Sequence, residues 1–272
     1  MKKIFLTIAA SLALFPAFGA KIAVSSYPWQ KATIAEMLSD LRGIGVRNVS
    51  MFQNMRLGGN GKYAGEIFRY DMPDAAKAEA KKIFDGAGAR VVSIGHISLS
   101  DEAEIKKVFE FAKYFGAEAM TVEAPARALP IYDRLAKEYG IKAGLYNHPA
   151  GRKGGKAEPP YSTPEKMAAA LALCDNLGAF PDCGHWGRSG FDIIKCLKKL
   201  GGKISAVNIQ DLTASGECEE YGKGVLPLDG FLGELAGFDG WCVVMFDAAP
   251  DRSQIEKVAP SIKYLEARGF QK

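Results

Sequence analysis

The chain has few cysteines and histidines, and its cysteines do not form a metal-binding or redox motif. Five of its 272 residues are cysteine and three are histidine. The cysteines show neither a C-x-x-C pair nor zinc-ribbon spacing. They are Cys174, Cys183, Cys196, Cys218 and Cys242. This odd, scattered set leaves a disulfide open in an oxidising compartment but does not identify its pair.

The sequence also lacks a strong excess of charge of either sign. Its formal net charge is +4, and Lys2 and Lys3 carry two of those positive charges. A nearly neutral domain has no electrostatic footprint for a phosphate backbone. We therefore expect no nucleic-acid partner.

The amino-terminal apolar run, Ile4 to Phe15, is shorter than the ~20 residues that span a bilayer. It follows two lysines and precedes small residues that end at Ala20, as in a secretory signal. We predict a signal peptide over residues 1–20 and an exported, periplasmic or secreted domain over 21–272. After cleavage, no stable membrane insertion is expected.

Strand-like and helix-like segments alternate along the rest of the chain, which is typical of βα units around a parallel sheet. The predicted strands are Ile22–Ser25, Asn48–Phe52, Arg90–Ile94, Ala119–Glu123, Lys142–Tyr146, Ala179–Asp182, Ile204–Ile209 and Trp241–Phe246. The predicted helices are Thr33–Ile44, Pro73–Gly86, Asp101–Phe115, Arg127–Tyr139, Pro164–Asn176, Phe191–Leu200, Leu228–Ala236 and Arg252–Arg268. No G-x-G-x-x-G follows the first strand, so eight units favour a single (β/α)8 TIM barrel.

Polar residues collect where the predicted strands end, which is where TIM barrels place their chemistry. All three histidines of the chain are among them. The full set is His96, Glu123, Asn147, His148, Asp182, His185, Asn208, Gln210, Asp211 and Asp247. Glu123 follows an apolar strand, and a buried carboxylate there needs a partner, a proton or a metal. The alternatives are a surface-facing Glu123, an Asx turn at Asn147 and histidines that only pack.

The run from Pro181 to Gly190 places a carboxylate, an imidazole and a guanidinium close together. Asp182 and His185 lie three residues apart across a glycine, so both can face one cavity. There, Asp182 can bind a divalent metal and His185 can donate to a polyol or carbonyl oxygen. Trp186 and Arg188 then supply a wall and a clamp. The alternative is a polar turn with Ser189 as an N-cap.

A long polar loop follows the fifth predicted strand. It covers Ala150–Tyr161 and contains a basic run from Arg152 to Lys156. The loop is a candidate lid over the site. Basic runs of this kind are more often solvated surface.

With these residues, the chain resembles the sugar phosphate isomerase/epimerase proteins of the xylose-isomerase-like barrel superfamily, especially their secreted bacterial members. The resemblance covers nearly all of the mature chain. Its most specific element is Asp182-Cys183-Gly184-His185-Trp186, and supporting stretches are 92–100, 144–149 and 240–247. It implies a TIM barrel that acts on sugars, with a divalent metal (Mn, Co, Zn or Mg) as cofactor.

The resemblance also implies a ligand set, which this chain matches in part. Glu123 and Asp182 match the first two metal ligands, and His185 matches a substrate-binding histidine. Asn208 stands where the family has a histidine ligand, and Met245 where it has a glutamate. Asp247 lies one strand layer nearer the mouth than Met245.

The leading hypothesis is an enzyme that removes a proton beside a carbonyl of a sugar or keto-sugar. Catalytic roles fall to Glu123, Asp247 and His185, and metal ligation to Glu123, Asp182 and Asn208. The expected substrate contacts are His96, Asn147, His148, Trp186, Arg188 and Gln210. The alternative is an exported carbohydrate-binding barrel that has lost its metal. Endonuclease action on abasic nucleic acid, known in a related branch, is disfavoured by the neutral charge and few histidines.

Overall fold

The computed structural model describes residues 19–151, 157–247 and 252–272. Nearly all of the predicted signal peptide lies outside these ranges, so export stays a prediction. The basic run in the predicted lid, residues 152–156, also lies outside them. Within the described ranges, no helix is both long and apolar enough to cross a membrane.

All eight predicted strands are present, and they pair in parallel. The strands are β1 (Lys21–Ser25), β2 (Asn48–Phe52), β3 (Arg90–Ile97), β4 (Ala119–Val122), β5 (Lys142–Leu145), β6 (Gly178–Ala179), β7 (Ala206–Ile209) and β10 (Trp241–Val244), with a small hairpin of β8 (Asp211–Leu212) and β9 (Cys218–Glu219) before the last. The sheet order is β6-β5-β4-β3-β2-β1-β10-β7. Because the first strand pairs with the last, the sheet curls into a barrel.

Backbone contacts between β6 and β7 nearly close that barrel. The N–H of Ser205 donates to the carbonyl of Ala179 at 2.7 Å. The N–H of Asn208 donates to the carbonyl of Pro181 at 2.8 Å. The predicted TIM barrel is confirmed, and the carboxyl ends of its strands meet at one mouth.

Helices cover the outside of the barrel. They are α1 (Ile34–Gly43), α2 (Asp74–Ala87), α3 (Glu102–Phe115), α4 (Leu129–Tyr139), α5 (Pro164–Leu171), α6 (Cys183–Arg188), α7 (Ile193–Lys199), α8 (Leu228–Gly233) and α9 (Arg252–Glu266). Local sequence sets their ends. Thr33 and Glu36 form a capping box that starts α1. Gly116, with a φ of 75°, ends α3 in the left-handed conformation that glycine adopts without strain.

The hydrophobic core has two layers, because strand side chains alternate between the two faces of a sheet. The outer layer lies between the strands and the helices and includes the packed rings of Phe68, Phe111 and Phe115. The inner layer fills the barrel and consists of Ala23, Val92, Ala119, Phe180, Ala206, Trp241 and Val243. This apolar filling closes the barrel below the mouth.

One helix was not predicted from the sequence. The strand expected over 179–182 ends at Ala179, and α6 begins at Cys183. The cause is Asp182, whose side chain accepts the backbone N–H of His185 and so caps the helix. Ser189, the N-cap of the alternative interpretation, lies instead at the end of α6 and donates to the carbonyl of His185 at 2.7 Å.

The loop after β7 is held by one buried carboxylate. Asp211 accepts the backbone N–H groups of Gly222 at 2.9 Å, Gly224 at 3.0 Å and Leu226 at 3.2 Å. Its side chain points into this loop rather than into the barrel mouth. The loop carries Cys218 towards the mouth, so Asp211 supports the site indirectly.

We expect Asp211→Ala to lower the free energy of unfolding by about 3 kcal/mol, because it leaves several buried N–H groups without an acceptor. Urea unfolding followed by circular dichroism measures the change. Asp74→Ala is the matched control, because the Asp74 side chain is 97% exposed and its loss should change stability by less than about 0.5 kcal/mol. Equal effects of the two substitutions would contradict the anchoring role.

Candidate functional site

The three histidines, which are far apart in sequence, meet at the carboxyl ends of the strands. The ring centres of His96 and His148 lie 5.1 Å apart, and His148 stacks on His185 at 5.3 Å. Tyr146 packs edge-on against all three rings. The mouth of the barrel therefore holds a continuous cluster of imidazoles.

Glu123 lies beside two of these imidazoles. Its Oε2 is 2.7 Å from Nδ1 of His148 and 3.4 Å from Nε2 of His96. Its other oxygen, Oε1, is buried and has no hydrogen-bond partner among the described residues. The Glu123 side chain is only 9% exposed, whereas His96 and His148 are 23% and 25% exposed. The carboxylate of Glu123 is therefore positioned through Oε2, while Oε1 has no partner among the described residues.

Asp182, a candidate metal ligand, is fully buried and satisfied by protein groups. Its Oδ1 accepts the backbone N–H of His185 at 3.2 Å and Nε2 of Gln210 at 2.7 Å. Its Oδ2 accepts the Tyr146 hydroxyl and Nδ2 of Asn208, each at 3.3 Å. We call these contacts the Asp182 network.

Asn147 completes this arrangement through the backbone. Its side-chain oxygen accepts the N–H of Asp182 at 2.7 Å, and its nitrogen donates to the Asp182 carbonyl at 3.1 Å. Asn147 has no exposed surface. The residue predicted to contact substrate therefore braces β5 against the start of α6.

Tyr146 joins the Asp182 network to His185, a role that the sequence did not reveal. Its hydroxyl lies 3.1 Å from Nε2 of His185 as well as 3.3 Å from Asp182. Burial, together with the nearby charge of Asp182, raises the pKa of Tyr146 well above its usual value. The hydroxyl therefore stays protonated. The available signal was its position at a strand end, one residue before Asn147.

His185 is buried and surrounded by groups of both charges. Its Nδ1 lies 3.2 Å from Nη1 of Arg188 and 3.3 Å from Oδ2 of Asp247. Burial lowers the pKa of His185, and this outweighs the opposing effect of the carboxylates of Asp182 and Asp247. The neutral imidazole is therefore the favoured form.

Arg188 and Asp247 form a two-point ion pair at the other side of His185. Nη1 of Arg188 donates to Oδ2 of Asp247 at 3.0 Å, and Nη2 donates to Oδ1 at 2.6 Å. Burial by itself would raise the pKa of Asp247, but His185 and Arg188 outweigh it and hold the pKa below its usual value. Asp247, predicted as a second acid or base, is thus an ionised carboxylate committed to a cation.

Further polar groups hold Arg188 in place. Its Nε donates to the carbonyl of Gly216 at 2.8 Å, and Nη2 also donates to Oε1 of Gln210 at 3.1 Å. The thiol of Cys218 lies 3.2 Å from Asp247, and burial raises its pKa to about 12, so it remains protonated. Like Tyr146, Cys218 was not predicted here. All five cysteines are free and buried.

Two tryptophans lie away from the open side of the site. Trp186, the predicted wall, has no exposed surface and belongs to the hydrophobic core. Trp29 is also buried, and its indole N–H donates to Asp40 at 3.0 Å. Burial, and then the nearby charge of Asp247, raise the pKa of Tyr27. The structure thus gives neither tryptophan a surface for a sugar ring.

The ligand set implied by the resemblance does not fit a metal in this chain. Both oxygens of Asp182 already accept hydrogen bonds, and the Asn208 side chain donates an N–H to one of them. Met245 is buried, and Asp247 is paired with Arg188. A cation there would have to displace amide and guanidinium donors from both carboxylates. A different group of donor atoms, from His96, Glu123 and His148, does converge.

Solved structures share this barrel along almost the whole chain. An uncharacterized protein of Parabacteroides distasonis is 27% identical with a TM-score of 0.71, covering 91% of this chain and 98% of that one. A xylose isomerase domain protein of Alicyclobacillus acidocaldarius is 17% identical with a TM-score of 0.68, covering 92% and 98%. The chain has the xylose-isomerase-like TIM-barrel fold. The fold that the resemblance implied is thereby confirmed.

Other proteins with this fold carry names that specify a reaction. A D-allulose 3-epimerase of Methylomonas is 14% identical with a TM-score of 0.67, covering 93% of this chain and 99% of that one. An inosose dehydratase of Mesomycoplasma hyopneumoniae is 27% identical over 127 residues, 46% of this chain. The match spans only 39% of that relative's length. No family model matches the sequence.

His185 should make the stability of the metal-free protein depend on pH. Its pKa is lower in the folded protein than the usual 6.5, so the unfolded chain binds more protons as the pH falls through that range. We expect the free energy of unfolding to decrease from about pH 7.5 to about pH 5.5, and to decrease less in His185→Gln. Urea unfolding at both pH values, with NMR titration of the imidazole, measures this. A midpoint at or above 6.5 would contradict the assignment.

Proposed function

We propose that this protein is an enzyme that modifies a sugar or keto-sugar by removing a proton from a carbon beside a carbonyl group. The product would come from isomerisation, epimerisation or elimination. The observation that carries the proposal is Oε1 of Glu123 at the barrel mouth, which is buried and has no hydrogen-bond partner in the described part of the chain. The likeness of the fold to that of sugar epimerases, and the partial match to an inosose dehydratase, support the substrate class.

Glu123 is the proposed base. Its Oε2 is fixed by His148, which leaves Oε1 to accept the proton from carbon. A base must be held within hydrogen-bonding reach of its proton, and fixing one oxygen limits how far the other can turn. The protonated carboxyl then gives the proton to the neighbouring carbon, which completes an isomerisation, or to a departing hydroxyl, which completes an elimination. Epimerisation needs in addition a proton donor, such as a water molecule, on the opposite face of the same carbon.

The imidazoles divide into an accessible pair and a buried one. His96 and His148 are about one quarter exposed, so we assign the substrate side of the site to them. His185 has a 6% exposed side chain and stacks under His148. We therefore assign His185, with Tyr146, to positioning His148 rather than to direct proton transfer.

The ion pair of Arg188 and Asp247 is proposed to set the electrostatics at the far side of the site. Two hydrogen bonds hold the guanidinium in a fixed plane beside His185. A fixed, partly buried cation stabilises negative charge on a nearby oxygen more than a solvated one does. Asp247 then acts by positioning Arg188. A bound metal is not needed for either role.

Exchange between solvent and the hydrogen on the carbon beside the carbonyl tests the proposed chemistry, and it does not require that the final product be known. In D2O, the protein should place deuterium on the carbon beside the carbonyl of a substrate in a panel of ketohexoses and 3-keto-sugars. Glu123→Gln should slow this exchange by about 100-fold or more, because the base is removed while the shape is kept. Proton NMR of the recovered sugar measures the exchange.

The control is Glu118→Gln, which changes a glutamate just before β4, at the opposite end of the barrel. Its side chain is 41% exposed and contacts Arg90 at 3.0 Å. The exchange rate should be unchanged in this variant. Wild-type exchange in Glu123→Gln would contradict the assignment of the base. A sugar that binds without exchange or turnover would favour the non-catalytic carbohydrate-binding alternative.

A further inference from the structure

Three potential metal ligands meet at the ends of three adjacent strands. They are Nε2 of His96 near the end of β3, Oε2 of Glu123 just after β4 and Nδ1 of His148 after β5. One potential ligand atom from each of the three residues lies within 4.8 Å of those of the other two. Since β3, β4 and β5 are neighbours in the sheet, the barrel itself holds these donors together. We call them the His–Glu–His group.

The spacing of the His–Glu–His group is that of ligands around one ion. Two ligands that each lie 2.0–2.1 Å from a tetrahedral zinc are about 3.3 Å apart. The Glu123 oxygen is 3.4 Å from the His96 nitrogen and 2.7 Å from the His148 nitrogen. A change of well under 1 Å at the second pair would reach the tetrahedral spacing. Two imidazoles and one carboxylate are also a ligand set that transition metals favour.

The second oxygen of Glu123 is an independent indication of a missing partner. Oε1 is buried and has no hydrogen-bond partner within the part of the chain that the structure describes, and the side chain as a whole is only 9% exposed. Leaving a buried carboxylate oxygen unpaired is costly, and a cation beside the same carboxylate offsets that cost. The partial exposure of His96 and His148 leaves space for further ligands, such as water or a substrate oxygen.

The ligand positions implied by the resemblance contrast with this group. At Asp182 and Asp247, the carboxylate oxygens already accept protein N–H, O–H or S–H donors. Among the residues in ranges 19–151, 157–247 and 252–272, Oε2 of Glu123 contacts the imidazole nitrogens of His96 and His148, and Oε1 has no partner. The carboxylate that retains capacity for a cation is therefore Glu123.

We propose that His96, Glu123 and His148 bind one divalent transition-metal ion, of the zinc or cobalt type, with at least one coordination position open towards the substrate. This ligand set differs from the one implied by the resemblance, because Asp182 is not a ligand. Coordination uses Oε2 of Glu123, so Oε1 remains available. The proposal does not rest on the reaction proposed above, because its test measures ion binding rather than turnover.

The test is titration of the chelator-treated chain with Co2+, followed by visible absorption and by metal analysis of the dialysed protein. We expect one equivalent of cobalt with the absorption of a four- or five-coordinate ion. His96→Gln and His148→Gln should each weaken binding by about 100-fold or more, because each removes a ligand. Met245→Leu is the matched control and should bind cobalt as the wild type does, whereas Asp182→Asn tests the ligand set that the resemblance implies.

A measurement on the unsubstituted chain covers the case in which a variant fails to fold. On addition of Zn2+, the imidazole nitrogen resonances of His96 and His148 should shift by the amount typical of metal coordination, while those of His185 should change little. Three results would overturn the proposal: no cobalt or zinc bound by the wild type, unchanged binding in both histidine variants, or loss of binding in Asp182→Asn with retention in His148→Gln. Solvent exchange by a metal-free protein would still support Glu123 as the base.

Discussion

The burial of Asp182 is the constraint on which the site depends. A carboxylate with no exposed surface must be satisfied by protein donors, and here they come from β5, from α6 and from the end of β7. Its contact with the backbone of His185 starts α6, and that helix carries both His185 and Arg188. The same carboxylate orients the Tyr146 hydroxyl, which reaches His185. One buried charge thus fixes a strand end, a helix start and the direction of an imidazole.

Two carboxylates at the mouth differ in what surrounds them, and this divides their roles. Asp247 faces a guanidinium and a thiol, which hold it as an anion and leave it little freedom to accept a proton. One oxygen of Glu123 faces imidazoles, and the other has no partner among the residues that the structure describes. The group with spare hydrogen-bonding capacity is the one suited to chemistry, whereas the saturated group supports its neighbours. This division could not follow from residue type, since both are acidic residues after an apolar strand.

Much of the barrel could be predicted because its signals are local. Apolar runs bounded by glycine and polar residues identified all eight strands, and the helices on the outer surface followed from three- and four-residue spacing. Helix α6 was missed because its six residues contain two glycines and its start depends on a side-chain cap from Asp182. The convergence of His96, His148 and His185 was expected from their positions at strand ends. The burial of Trp186 was not, since an exposed wall and a core residue have the same local pattern.

The sequence by itself determined the order of strands and helices, the residues available at the barrel mouth and the departures at Asn208 and Met245. It could do so because periodicity and residue type are properties of short segments. Only the tertiary structure decided that Asp247 pairs with Arg188 and that both oxygens of Asp182 accept hydrogen bonds. It also decided that Glu123 keeps one oxygen without a partner among the described residues. Those distinctions arise between residues that are 25 to 59 positions apart, such as His148 with Glu123 and Arg188 with Asp247. Closing the barrel brings them within hydrogen-bonding distance, and burial then fixes which form of each group is stable.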